Sequence, residues 1–238
     1  MKKNSKTINV EGIEYIRIPL KTKILTPDDD ILDIVTKYIK GAIEEGDIIS
    51  ISESPLAITQ GRAIPVSELK IGWLAKFLWR YVSNVNYGIG LRAPESMQCA
   101  IDECGSFRIL FAAIVGGIGR LIGRRGKGDF YRLAGMQAAL IDAATTSPVP
   151  PYENCVIKGP INPEKESQRI KDHTGFECCV MDINDIGGCW MIGGSDGINK
   201  SFMEQVMKDN PQGQGDELTP ICLTRKVKRE LMTVLLLP

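Results

Sequence analysis

Cys178, Cys179, Val180 and Met181 form an apolar run that stops at a carboxylate, Asp182. A run of that length and character is the buried end of a strand, and an acid at its exit is costly to desolvate unless a cation meets it. Segments of helical periodicity surround such runs. In TPDDDILDIVTKYIKGAIEEGD, Thr26 or Asp28 can cap and acids crowd the first turn. Ile31, Ile34, Val35, Tyr38, Ile39 and Ile43 then repeat at helical spacing up to Gly46. Strands are predicted over 15–25, over 47–54 (DIISISES) and near the C-terminal end, with PLAITQGR as a turn leaving the second. Helices are predicted over 66–82, with Trp73, Phe77 and Tyr81 on one face, and over 93–105. Residues 107–122 are predicted as a buried apolar helix. A helix capped by Asn162 or Ser167 closes at Gly175, and another follows Gly197. The mixture makes the chain α/β (mixed α+β). A Pro-rich stretch over 148–163 is the natural junction between two lobes, 1–147 with a helical insertion near 63–130, and 148–238.

Composition narrows the chemistry. Lys plus Arg and Asp plus Glu both number 29, so no global charge points to nucleic acid or an anionic membrane. The expected partners therefore include neither. The N-terminal stretch MKKNSKTINVEGIEY is polar and has no signal-peptide character. The seven cysteines have no CxxC spacing and read as reduced, mostly buried thiols of a cytoplasmic protein. His173 is the single histidine, which removes histidine triads and multi-histidine metal sites. A metal would have to be held by oxygen, which favours Mg or Mn.

Three segments carry candidate chemistry. AALIDAATT delivers Asp142 after an apolar run, as CCVMDIND delivers Asp182. As strands of one sheet they would bring two carboxylates to one edge, where a divalent cation is attracted; as unrelated strand ends they would cap loops or helices. QGQGDELTP, 212–220, sets amide and acid side chains among glycines, suited to wrapping a phosphate–metal group or to a plain surface loop. GGIGRLIGRRGKG, 116–128, is a basic Gly-rich stretch that matches neither a P-loop nor a dinucleotide fingerprint and also reads as a solvated loop.

Five stretches in order resemble the coenzyme F-420 glutamate ligase family: IPLKTKILTPDDDILDIV, EEGDIISISESPLAITQGR, AALIDAATTSPVPP, CCVMDINDIGG and GQGDELTPICL. The resemblance implies that family's two-lobed fold, a homodimer, and ligation of glutamate to a small deazaflavin coenzyme precursor. GTP (or ATP) would be co-substrate, with Mg or Mn. It places Asp142 and Asp182 at the metal-binding aspartates and Gln214 at a further, normally acidic, ligand. Lys21, Thr22, Lys23, Ser54, Thr145, Gln212, Gly213, Gly215, Asp216 and Glu217 fall where the family lines its nucleotide site. Gln60 and Arg62 belong to the expected surround.

The chain departs from the family pattern at several of these places. Ile58 replaces a lysine, Gln60 an acid, Ile183 a threonine, Thr145 an asparagine and Gln214 an acid. Arg120, Arg124, Arg125 and Lys127 are the cations available to replace the lost lysine. A non-catalytic paralogue binding another anionic small molecule is the alternative these departures leave open.

Overall fold

The computed structural model describes residues 6–82, 90–123, 129–144, 150–184, 187–213 and 216–227. The strands are β1 (Thr7–Val10), β2 (Ile13–Leu20), β3 (Ile48–Ser52), β4 (Ala63–Pro65), β5 (Cys155–Ile157), β6 (Cys178–Ile183), β7 (Cys189–Gly194) and β8 (Ile221–Lys226). The first helices are α1 (Ile31–Ile39), α2 (Glu53–Thr59), α3 (Trp73–Leu78) and α4 (Pro94–Cys104). They are followed by α5 (Ser106–Leu121), α6 (Asp129–Ala134), α7 (Met136–Ala139), α8 (Pro163–Thr174) and α9 (Lys200–Met207).

Six strands form one mixed sheet in the order β1-β2-β8-β3-β6-β7. Only β3 and β6 run parallel; every other neighbouring pair is antiparallel. The pleat explains the composition of β6. Cys178 and Val180 face one core, shared with Ile49 and Ile51 of β3 and with α1, α2 and α8. Cys179 and Met181 face the opposite core, against Met203, Val206 and Met207 of α9. Both faces of the central strands are thus covered, which is why CCVM carries no alternation of apolar and polar residues.

A two-stranded sheet, β4 with β5, stands apart from the main one. Helices α3 to α7 gather a third core with Val156 of β5, built on Leu91, Met97, Ile109 and Ile141. This helical segment has its own closed interior.

Several sequence expectations change. PLAIT is helical rather than a turn, because Pro55 falls in the first turn of α2, where its missing N–H costs nothing. Leu56, Ala57 and Ile58 then enter the main core. The single helix expected over 66–82 is broken. A 3-10 turn (Val66–Glu68) precedes α3 and another (Trp79–Tyr81) follows it, and extended Gly72 separates the first turn from α3. Residues 107–122 are helical as expected but not buried, since one face of α5 is open. Asp142 does not leave a strand of the main sheet; it follows α7 and makes an isolated bridge to Ile157. Short apolar runs do not distinguish strand from helix. Strands β1 and β7 give no sequence signal, because both are edge strands and β7 ends in two glycines. Among the described residues no single helix is long and apolar enough to cross a membrane; only α4 and α5 together, bent by 117°, have the length and composition.

The sheet is tied to α9 by Arg17, which is 1% exposed at the middle of β2. Its guanidinium donates to Val206 O (3.0 Å) and to both carboxylate oxygens of Asp209. Removing one partner of a buried pair leaves a desolvated charge. Asp209→Ala is therefore expected to cost about 2–4 kcal/mol, less than a fully buried pair because Asp209 is part exposed. Urea denaturation of the two proteins checks this.

Candidate functional site

The site is built where the parallel pair ends. Ser52 at the end of β3 lies opposite Met181 of β6, and the next residue after each is an acid, Glu53 at the start of α2 and Asp182 on β6. Crevices outside the carboxyl ends of parallel strands are where α/β sheets hold ligands. Asp142 reaches the same place from the small sheet, with Oδ2 accepting a 2.8 Å hydrogen bond from Ser54 Oγ on the first turn of α2. The backbone of Asp142 is fixed by exchange with Ile157, N–H to O at 2.8 and 3.2 Å.

The three carboxylates feel one another. Burial, then the charges of Asp182 and Asp142, push the Glu53 carboxyl well above its usual range. Burial, then Asp142, pushes Asp182 up to about 7. Asp142 is also raised by burial, with the Ser54 hydroxyl opposing. Glu53 is only 6% exposed, and its carboxylate has no hydrogen-bond or ion-pair partner among the described residues. No described lysine or arginine forms an ion pair with any of the three. Sequence reading missed Glu53, although DIISISE shows the same signal as CCVMD: an acid closing a strand-length apolar run.

The rim comes from segments far apart in sequence. Leu20 at the end of β2 pairs with Ile221 at the start of β8, so residues 21–23 and the loop before β8 meet at this edge. Thr22 N donates to Leu218 O (2.8 Å), and Ser52 N to Pro220 O (2.9 Å). Leu218 holds φ = 57°, a left-handed conformation that costs about 1 kcal/mol or more in a non-glycine residue. Gln212 is buried, its Nε2 donates to Pro220 O (2.8 Å), and its Oε1 is a buried acceptor with no partner among the described residues. Gly213 holds φ = 77°, a left-handed conformation that favours glycine. Lys21, Asp216 and Glu217 are exposed, and Lys23 is paired with Asp29. Thr145, Gln214 and Gly215, with Arg124, Arg125 and Lys127, lie outside the described residues.

Four residues expected near the site are otherwise engaged. Arg62 is buried and donates to Gly159 O, Glu103 Oε2 and Gln137 Oε1. Gln60 makes a two-bond clamp on the backbone of Ile161, at 2.7 and 3.0 Å. Ile58 is in the main core. Arg120 donates to Tyr81 O among the helices.

The donor set suits a hard cation. It offers carboxylate oxygens, while the thiols of the neighbouring Cys179 and Cys189 are pushed up to about 12 by burial and remain protonated. Among the described residues no three acid, Cys or His side chains already converge as a metal cage. Carboxylate oxygens suit Mg²⁺, which takes one or two carboxylates and completes its shell with phosphate and water.

A raised carboxyl pKa stabilises the fold below the unfolded value and loses that contribution as pH rises through the folded value. The metal-free protein should therefore lose stability between about pH 4 and pH 7 as Asp182 ionises. Asp182→Asn should flatten that slope and be more stable than the parent at pH 8 by on the order of 1–3 kcal/mol. Melting temperatures across pH, in chelator, measure both.

The model of the F420-0:Gamma-glutamyl ligase family matches residues 19–196, including the helical segment but ending before the 212–219 loop. No curated protein matches the chain significantly. With three quarters of its length matched and a six-stranded mixed sheet at its centre, the chain belongs to the F420-0:gamma-glutamyl ligase family.

Proposed function

We propose that the protein is a nucleotide-dependent amide-bond-forming ligase, joining an amino acid such as glutamate to the carboxylate of a small metabolite. The observation that carries this reading is the meeting of Glu53, Asp142 and Asp182 at one edge with Thr22 and the loop before β8. Asp142 and Asp182, with Gln214, are the proposed ligands of Mg or Mn. Residues 21–23, Ser54, Thr145 and 212–217 form the proposed nucleotide surround.

The chemistry needs no protein nucleophile. A carboxylate is activated by phosphorylation, the amine attacks the acyl phosphate, and phosphate leaves from the tetrahedral intermediate. A bound divalent cation would neutralise charge on the transferring phosphoryl oxygens. The chain's own groups position and exclude water. Ser54 orients Asp142 through its hydroxyl, Gln212 holds the start of β8, and the glycines let backbone N–H groups approach an anion.

One observation favours a second reading, a binding paralogue for another anionic small molecule. Ile58 is in the core and Arg62 is bound elsewhere, so neither lends charge to a phosphate.

Thermal melting with GTP or ATP, with and without Mn, separates the two. A ligand at a hundred times its dissociation constant stabilises by about 2.7 kcal/mol. The ligase reading expects a metal-dependent shift with one nucleotide, lost in Asp182→Ala, and amino-acid-dependent release of phosphate. No shift with any nucleotide favours the binding paralogue. A Mn shift unchanged in Asp182→Ala removes the metal assignment.

A further inference from the structure

Glu53 is a buried carboxylate that the proposed reaction has not used. It is 6% exposed, and no hydrogen bond or ion pair reaches its carboxylate among the described residues. It adjoins Ser54, whose hydroxyl holds Asp142, and it stands across the parallel register from Asp182. The charges of both aspartates act on it. Asp142 and Asp182 are only half-buried, so the corner they share with Glu53 is not closed to a ligand.

Neither packing nor the helix accounts for an acid at this position. A glutamine fills the same volume without the cost of desolvating a charge. The first turn of α2 favours an acid, but an exposed one serves that purpose without burial. A third metal ligand is not the answer either. Among the described residues no three acid, Cys or His side chains converge as a cation site. Two of the three acids are the proposed metal ligands, and Glu53 is the one left over.

Charge then selects the occupant. Nucleotide, acceptor carboxylate and acyl phosphate are all anionic, and one divalent cation balances only two of the three carboxylates. The other cation in the reaction is the amine, which near pH 7 arrives as an ammonium group. It must lie beside the phosphoryl group and not on it, since the amine attacks the neighbouring carbonyl carbon. A carboxylate one residue from Ser54 and across from Asp182 is placed for that. We infer that Glu53 receives the ammonium group of the incoming amino acid. The inference rests on the ligase reading and adds the group that recognises its nucleophile. An ammonium–carboxylate pair is a charge-assisted hydrogen bond, stronger than a neutral one. An analogue without the ammonium leaves Glu53 unpaired, so the site rejects it.

Isothermal titration of the full chain, loaded with Mn and a non-hydrolysable analogue of GTP or ATP, tests this. The standard amino acids are first ranked by the melting shift each gives. The best-ranked amino acid should bind the parent protein, and its N-acetyl derivative, which lacks the ammonium, at least about tenfold more weakly. Glu53→Gln should lose at least about tenfold in affinity for the free amino acid and bind the N-acetyl derivative as the parent does. Its Mn affinity, read by electron paramagnetic resonance, should stay close to the parent's. Glu53→Asp keeps the charge and should recover part of the loss. Equal affinity of the parent for the free and N-acetylated forms overturns the inference, and that comparison needs no variant. An amino acid that binds Glu53→Gln as well as the parent also overturns it, as does a parent that binds no amino acid. In those cases a Mn-dependent nucleotide shift keeps the ligase reading standing. A tenfold loss of Mn affinity in Glu53→Gln makes Glu53 a metal ligand and overturns the ammonium assignment. Absence of the nucleotide shift in the parent fails the ligase reading itself, and the inference with it.

Discussion

Three acids, Glu53, Asp142 and Asp182, share one low-dielectric corner with no basic side chain against them among the described residues. That is the constraint around which the sheet is arranged. Carboxylates that share a part-buried corner repel one another and resist ionisation. The protein tolerates the cost because each acid is held by an element it cannot leave. Glu53 and Asp182 follow the parallel β3–β6 pair, and Asp142 is fixed by its exchange with Ile157.

Around that corner the remaining devices are positional. Left-handed Leu218 lends its carbonyl to Thr22, and Gln212 closes the turn into β8. Gln60 and Arg62 bind the end of α2 to the loop at 159–161 and to Glu103 of α4. They hold the wall through which Asp142 and Ser54 meet. Ile58 packs in the main core and Gln60 clamps the backbone of Ile161, so both serve the frame on this side.

The helical segment solves a different problem. Its interior is closed by Leu91, Met97, Ile109 and Ile141, and α5 then has more apolar surface than that interior uses. Sequence periodicity marks α5 as apolar but cannot tell an inner face from an outer one, because both are built from the same residues. Burial alone separates them, and burial is a property of the packed segment.

By itself the sequence determined the alternation of helix and strand, the acids at the ends of apolar runs, and the absence of histidine chemistry, since these depend on local periodicity and residue type. It also marked residues 21–23 and 212–217 as candidates, through resemblance rather than geometry. Only the tertiary structure decided that Glu53 joins the two aspartates. Its neighbours come from segments about 90 and 130 positions further along, and the parallel register that aligns Ser52 with Met181 is written in no single segment. The same holds for Arg62 and Gln60. Their polar side chains read as site residues in sequence, but their hydrogen bonds are claimed by backbone that only the fold brings within reach.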